Sequence, residues 1–133
     1  MSELFSDCWM KKFQQEWNRD RELTSALAGI QFNTTIGYGF PDESNPRVAI
    51  TIRDGRIIYA GPYTGQTLNW DLRAREKHWQ QWLQQEIGNA SVGLAYSTGK
   101  LKFLVGDFRQ LLKNPGLHRP FVRSFSVMGR AAA

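Results

Sequence analysis

Polar and apolar residues alternate along four segments in the first part of the chain, and such alternation predicts β-strands with one buried face. The four segments are residues 30–40, 47–53, 56–60 and 67–74. Asp54-Gly55 separates the second segment from the third, and this pair is the strongest short signal for a tight hairpin. A fifth strand is predicted at residues 100–105, where Leu101, Phe103 and Val105 share one face.

In the other segments, apolar residues recur at helical spacing. Helices are predicted at residues 2–18, 20–26, 75–87 and 89–96, in a short segment capped by Asp107, and from Arg119-Pro120 towards the end of the chain. Strands that are grouped first, with helices to cover them, indicate an α+β fold. We expect a five-stranded, mostly antiparallel sheet with one face covered by helices.

The length and composition of the chain are those of one ordinary globular domain. With 133 residues, it is expected to form a single domain over residues 1–130, followed by a disordered tail at residues 131–133. The one cysteine, Cys8, rules out a disulfide within the chain, and its place on an apolar helix face predicts a buried side chain. The first residues lack the long apolar run of a signal peptide, and no stretch approaches the roughly 20 apolar residues of a membrane span, so we expect a cytoplasmic protein.

The net charge of +5 is spread along the sequence and not concentrated in one segment. Basic residues such as Lys11-Lys12, Arg53 and Arg119 stand among acidic and apolar ones, which is typical of a solvated surface. No basic helix, zinc finger or RNA-recognition pattern accompanies the charge, so nucleic acid is not an expected partner. At most, the charge favours peripheral membrane contact through anionic headgroups, or contact with coenzyme phosphates.

Few residues suggest a catalytic or metal site. His78, on the predicted exposed flank of a helix, and His118, in a predicted loop, have no nucleophile or carboxylate at a recognisable spacing. Two histidines and one cysteine are too few for a zinc or non-haem iron site, and no phosphate loop is present. We therefore expect no enzyme, no metal and no cofactor. A small isomerase or hydrolase with a cone-shaped apolar active site is a third hypothesis, with Tyr38 and Tyr59 as its candidate residues.

The apolar side chains of the sheet and helices allow two interpretations. Either they fill one another as an ordinary core, or the two layers stand apart and leave an apolar tunnel for a lipid. On the fourth strand, Leu68, Trp70 and Leu72 are expected to point inward, and Asp71 and Arg73 outward to solvent. Periodicity alone does not separate the two interpretations, and by itself it favours the filled core.

Three stretches resemble the sterol carrier protein type 2 family. They are RVAITIRDGRIIYAG at residues 47–61, WQQWLQQ at residues 79–85 and TGKLKFLVGD at residues 98–107. The resemblance covers residues 47–128 and is most specific at residues 99–107. Domains of that family pack helices over a five-stranded sheet around an apolar tunnel for fatty acyl chains, acyl-CoA, sterols, phospholipids or isoprenoids, and they are not catalysts. The resemblance therefore implies an SCP-2-like lipid carrier with a tunnel between its layers.

A common inward register selects ten residues as the predicted lining of this tunnel. They are Phe32, Ile36, Ile50, Trp70, Trp79, Trp82, Leu83, Phe103, Phe121 and Phe125. The expected partner is a hydrophobic small molecule or lipid, bound by a monomer or a homodimer. The alternative hypothesis is an accessory subunit that binds a pathway enzyme, where the pathway handles hydrophobic intermediates, as in quinone biosynthesis or aromatic or steroid degradation.

Overall fold

A computed structural model describes residues 3–84 and 89–132 of the chain. Six helices and five strands lie in this part of the chain. In order they are α1 (Asp7–Arg19), α2 (Arg21–Gly29), β1 (Thr34–Gly39), β2 (Val48–Arg53), β3 (Arg56–Pro62), β4 (Trp70–Arg73), α3 (Glu76–Gln84), α4 (Asn89–Ser97), β5 (Lys102–Val105), α5 (Phe108–Lys113) and α6 (Pro115–Ala132). The predicted α+β class is confirmed.

The five strands form one mixed sheet in the order β3-β2-β1-β4-β5. Three neighbouring pairs are antiparallel, and only β1 and β4 run parallel. Ile36 on β1 lies opposite Ile50 on β2 and beside Trp70 on β4, so these three side chains share the face that the helices cover. The prediction of a mostly antiparallel five-stranded sheet is confirmed.

The predicted hairpin forms at Asp54-Gly55, where both residues adopt positive φ angles of 50° and 83°. Gly55 is required here because a Cβ at this position would lie 2.6 Å from the carbonyl oxygen of Thr24. The indole Nε1 of Trp17 donates to the Gly55 carbonyl over 2.9 Å. The turn between β2 and the edge strand β3 is therefore held against α1 and α2.

The first helix begins later than predicted. It starts at Asp7 and not at residue 2, because Ser6 caps it by accepting a hydrogen bond from the backbone N–H of Trp9. Phe5 has a φ of 63° and lies outside the helix, yet its ring is buried against Trp9. Cys8 is exposed, which corrects its predicted burial.

The last helix is longer than predicted at both ends. It begins at Pro115, where proline suits the first helical position, and it includes Pro120 and His118 in its interior. It continues through Ala132 with Ala131 buried, so these residues are not the disordered tail expected at residues 131–133. Residue 133 lies outside the described residues, as do residues 85–87 of the third predicted helix. Because α6 packs against α1, α2, α3 and α5, tertiary contacts outweigh the hydrogen bond that Pro120 cannot donate.

Asp71 and Arg73 are buried, which corrects the prediction that they face solvent. They do point away from the helical layer, but the loop of residues 40–46 covers them. Arg73 donates through Nε and Nη2 to the two carboxylate oxygens of Asp71 over 2.6 and 2.9 Å. Its Nη1 donates to the carbonyls of Phe40 and Glu43, which holds the loop down.

Irregular strands explain two further differences. Leu68 precedes β4, and its side chain lies beside Gly37 on the face away from the helices, so it does not point inward as predicted. Leu101, just before β5, is buried; on β5 itself Phe103 is half-buried, but Val105 is 39% exposed. An irregularity in the pairing with β4 lies between Phe103 and Val105, and it places Val105 beside the outward-facing Asp71.

Candidate functional site

An apolar pocket lies between the sheet and the helices, near the beginnings of the parallel strands β1 and β4. The strands, the segment between α2 and β1, and four helices contribute to its wall. The lining residues are Trp17, Leu27, Phe32, Ile36, Trp70, Leu72, Leu111, Leu117, Pro120, Phe121 and Ser124. Ser124 is the one hydroxyl among them, and its Oγ donates to the carbonyl of Phe121. The wall therefore offers apolar contact and little directional bonding.

The pocket is narrow. It encloses about 350 Å³ between atoms, including space open to solvent, but only about 20 Å³ of this is available to the centre of a water molecule. A volume of that size corresponds to about one or two water molecules and is too small for an acyl chain. The described conformation thus contains a cleft between the layers, and an elongated tunnel stays a prediction.

Four of the ten residues predicted to line a tunnel lie together on the pocket wall. These are Phe32, Ile36, Trp70 and Phe121. Phe103 lies just behind them, because its ring contacts the rings of both Trp70 and Phe121.

The other five predicted lining residues lie in the packed core and not on this pocket wall. They are Ile50, Trp79, Trp82, Leu83 and Phe125. Trp79 contacts the rings of Trp82 and Phe125, and its Nε1 donates to the carbonyl of Gly39 over 3.0 Å. These indole and phenyl rings fill one another's space, as expected of an ordinary aromatic core.

The pocket wall also contains residues outside the ten that were predicted. Trp17 and Leu27 come from the two N-terminal helices, and Leu111, Leu117 and Pro120 come from the α5–α6 region. Of these residues, Trp17 belongs to the apolar helical spacing of the predicted helix at residues 2–18, but such spacing does not tell which part of the sheet a helix covers. Pro120 was expected to open a helix, whereas it lies inside α6 with its ring on the pocket wall.

Helix α6, which forms most of one wall, is fastened to the α1–α2 junction by Asp20. This carboxylate accepts from Arg123 over 3.0 Å at both oxygens and from Arg130 over 2.6 Å, and it caps α2 by accepting from the N–H of Leu23. Burial acts to raise the pKa of Asp20, but the hydrogen bonds from the two arginines outweigh it and lower the pKa to about 2. Asp20 is therefore ionised and holds the wall in place at neutral pH.

The histidines differ from their predicted surroundings. His78 is half-buried and stacks on Trp82 with ring centroids 6.0 Å apart, and His118 stacks on Phe108. Within residues 3–84 and 89–132, no group of three His, Cys, Asp or Glu side chains is arranged to hold a metal ion. None of the helices in the same part of the chain is long and apolar enough to cross a membrane.

Neither family models nor curated proteins match this sequence. Solved structures do share its fold. A crystal structure of sterol carrier protein 2 superposes with a TM-score of 0.70 at 17% identity, covering 92% of this chain and 97% of its own. A conserved hypothetical protein from Thermus thermophilus, described as a possible sterol carrier protein, gives 0.63 at 17% identity over 98% of this chain and 87% of that one.

A third structure, a ubiquinone synthesis protein named UbiJ-SCP2, gives a TM-score of 0.60 at 9% identity, covering 90% of this chain and 86% of its own. These identities are too low to transfer an activity, but the near-complete coverage shows that the same elements occur in the same arrangement. The chain has the sterol carrier protein 2 fold, as the resemblance at residues 47–128 implied.

Proposed function

We propose that this protein is a non-catalytic carrier that binds the apolar part of a lipid between its sheet and its helices. The observation that supports the proposal most directly is the apolar cleft between the two layers of a sterol carrier protein 2 fold. Each methylene removed from water contributes about 0.8 kcal/mol, so a chain of moderate length gains micromolar affinity without any specific polar contact.

Binding requires the cleft to widen, since little of its present volume is open to a water molecule. The wall best suited to move is the α5–α6 region, where Leu111, Leu117 and Pro120 meet the cleft. Pro120 has no backbone N–H, so the carbonyl of Gly116 lacks its usual helical donor and the first turns of α6 are held less firmly. We expect the lipid to enter by displacing these turns while Asp20 keeps the rest of α6 in place.

The first test is native mass spectrometry of the purified full chain, together with displacement of a fluorescent fatty acid. We expect a lipid mass on the protein and saturable displacement. Leu117→Trp replaces a leucine side chain with the larger indole ring in the narrow cleft. It should weaken the affinity for the fatty acid about tenfold, which corresponds to losing the contacts of about two methylenes. Leu94→Trp is the matched control, because Leu94 lies on α4 with 63% of its surface exposed. Bare protein with no displacement, or equal binding by both variants, would contradict the proposal.

The accessory-subunit hypothesis is supported by one observation, the fold shared with a ubiquinone synthesis protein. In that case the chain would present a hydrophobic intermediate to an enzyme of the pathway. Co-purification at fixed stoichiometry with an enzyme that modifies a quinone precursor would favour this role. Exchange of lipid between vesicles by the purified chain, with no other protein added, would favour a carrier that acts alone.

The hypothesis of a small isomerase or hydrolase has little support from its two tyrosines. Tyr38 is buried among aromatic rings, and burial raises the pKa of its phenol, which keeps it protonated. The hydroxyl of Tyr59 donates to the carbonyl of Pro62 over 2.8 Å. Neither residue lies on the wall of the apolar cleft.

A further inference from the structure

A second pocket lies at the opposite end of the parallel strands β1 and β4. The apolar cleft contacts Ile36 and Trp70 near the beginnings of these strands, whereas the second pocket forms beyond their ends. Its lining residues are Pro41, Asp42, Arg75, His78, Thr98, Gly99, Lys100 and Lys102. It encloses about 590 Å³, including space open to solvent, and about 230 Å³ of this is available to the centres of water molecules. Unlike the apolar cleft, it is already open.

The second pocket is positively charged. Arg75, Lys100 and Lys102 contribute three cations, and Asp42 is the single carboxylate on the wall. In the part of the chain that the structure describes, none of the three cations has a carboxylate within ion-pair distance. By contrast, the nearby Arg47 is paired with Glu43. The pocket therefore has a formal excess of two positive charges that no described side chain neutralises.

His78 supplies a second, independent observation at the same place. Its Nδ1 is buried and has no hydrogen-bond partner among the described residues. Burial lowers the pKa of the imidazole, and the neighbouring cations Lys100, Lys77 and Arg75 lower it further. Leaving a buried ring nitrogen without a partner costs free energy. The N-terminus of α3, which begins at Glu76, adds its partial positive charge beside Arg75.

We propose that this second pocket, lined by Arg75, His78, Lys100 and Lys102, binds a phosphate-bearing anion. Lysine and arginine are the side chains that bind phosphate oxygens most strongly, and two excess positive charges match a phosphate dianion better than a single carboxylate. The pocket is concave and larger than a phosphate alone requires, so it accommodates a phosphate together with the group that carries it. The site does not depend on the lipid proposal, because the apolar cleft shares no lining residue with it.

The direct test is calorimetric titration of the full chain with inorganic pyrophosphate. We expect saturable binding with a dissociation constant of about 1 mM or below, and a loss of about tenfold or more in Lys100→Gln/Lys102→Gln. Both lysines are exposed, so the variant should fold normally. The control, Lys11→Gln/Lys113→Gln, removes the same charge from two other exposed lysines and should keep nearly wild-type affinity. No saturable binding by the wild type, or equal weakening in both variants, would overturn the proposal.

Two further measurements identify the source of the phosphate. Flotation with phosphatidylglycerol and phosphatidylcholine vesicles tests a lipid headgroup, and titration with adenosine monophosphate tests a soluble phosphate ester. A lipid headgroup is supported if the protein binds phosphatidylglycerol vesicles, if pyrophosphate competes with this binding, and if Lys100→Gln/Lys102→Gln abolishes it. Binding of the soluble ester alone supports a soluble ligand. A shift of the His78 side-chain resonances on adding pyrophosphate is expected in both cases, and its absence would place the anion elsewhere.

Discussion

The ion cluster at Asp20 gives the sharpest test of how α6 is held over the core. Asp20→Asn keeps the shape of the side chain and its oxygen can still accept from the N–H of Leu23, so the cap on α2 survives. What the substitution removes is the negative charge that pairs with Arg123 and Arg130. We therefore expect a loss of stability that comes from the charge and not from the cap.

The size of the effect follows from the pKa of Asp20: burial raises it, but the two arginines and, to a smaller extent, the N–H of Leu23 lower it from 3.8 to about 2. A difference of this size corresponds to about 2 kcal/mol of stability at neutral pH. The arginine side chains are 38% and 46% exposed, and solvent screens part of the interaction. The expected loss in Asp20→Asn is therefore about 1–2 kcal/mol at pH 7.

The dependence on pH provides the check. Because the pKa of Asp20 is lower in the folded state, its contribution is fully present above about pH 4 and is lost as the pH falls towards about 2. Urea unfolding of the wild type and Asp20→Asn should differ by a constant amount from pH 5 to 7 and converge below about pH 4. The control Glu22→Gln removes an exposed partner of Arg123 and should cost less than about 0.5 kcal/mol. A difference that persists unchanged at low pH would refute the electrostatic account.

Two more substitutions test the sheet. Arg73→Met leaves the buried carboxylate of Asp71 without its partner and should lower the free energy of unfolding in urea by about 3–5 kcal/mol. Asp71→Leu/Arg73→Met removes both charges and should recover much of this stability. If it does not, the hydrogen bonds from Arg73 to the loop, and not the ion pair, dominate. Gly106→Ala should lower the melting temperature and alter tryptophan emission, because a Cβ there would lie 2.4 Å from the ring of Trp70 at a φ of 93°. Gly65→Ala, at a φ of 96° with open space around it, should cost less and leave the emission unchanged.

Local sequence was sufficient for the β2–β3 hairpin and for the cap of α5, but not for the bounds of β1 and β4. The alternation at residues 47–53 and 56–60, with Asp54-Gly55 between, specifies a hairpin because each part depends on neighbours in the chain. Asp107 caps α5 as predicted, by accepting from the N–H of Arg109. The predicted start of α1 was wrong because the Ser6 cap, a local signal, was not recognised. The predicted bounds of α6 were wrong because tertiary packing, and not propensity, extends this helix on both sides of Pro120.

Periodicity in the sequence determined which side chains share a face, and this was enough to predict an α+β fold with one five-stranded sheet. Only the tertiary structure decided what covers each face. The loop of residues 40–46 buries Asp71 and Arg73, Trp17 and Leu27 join the apolar cleft, and Arg75 comes to lie beside Lys100 and Lys102. The physical reason is that burial and charge clustering depend on contacts between segments far apart in the chain, which no local pattern encodes.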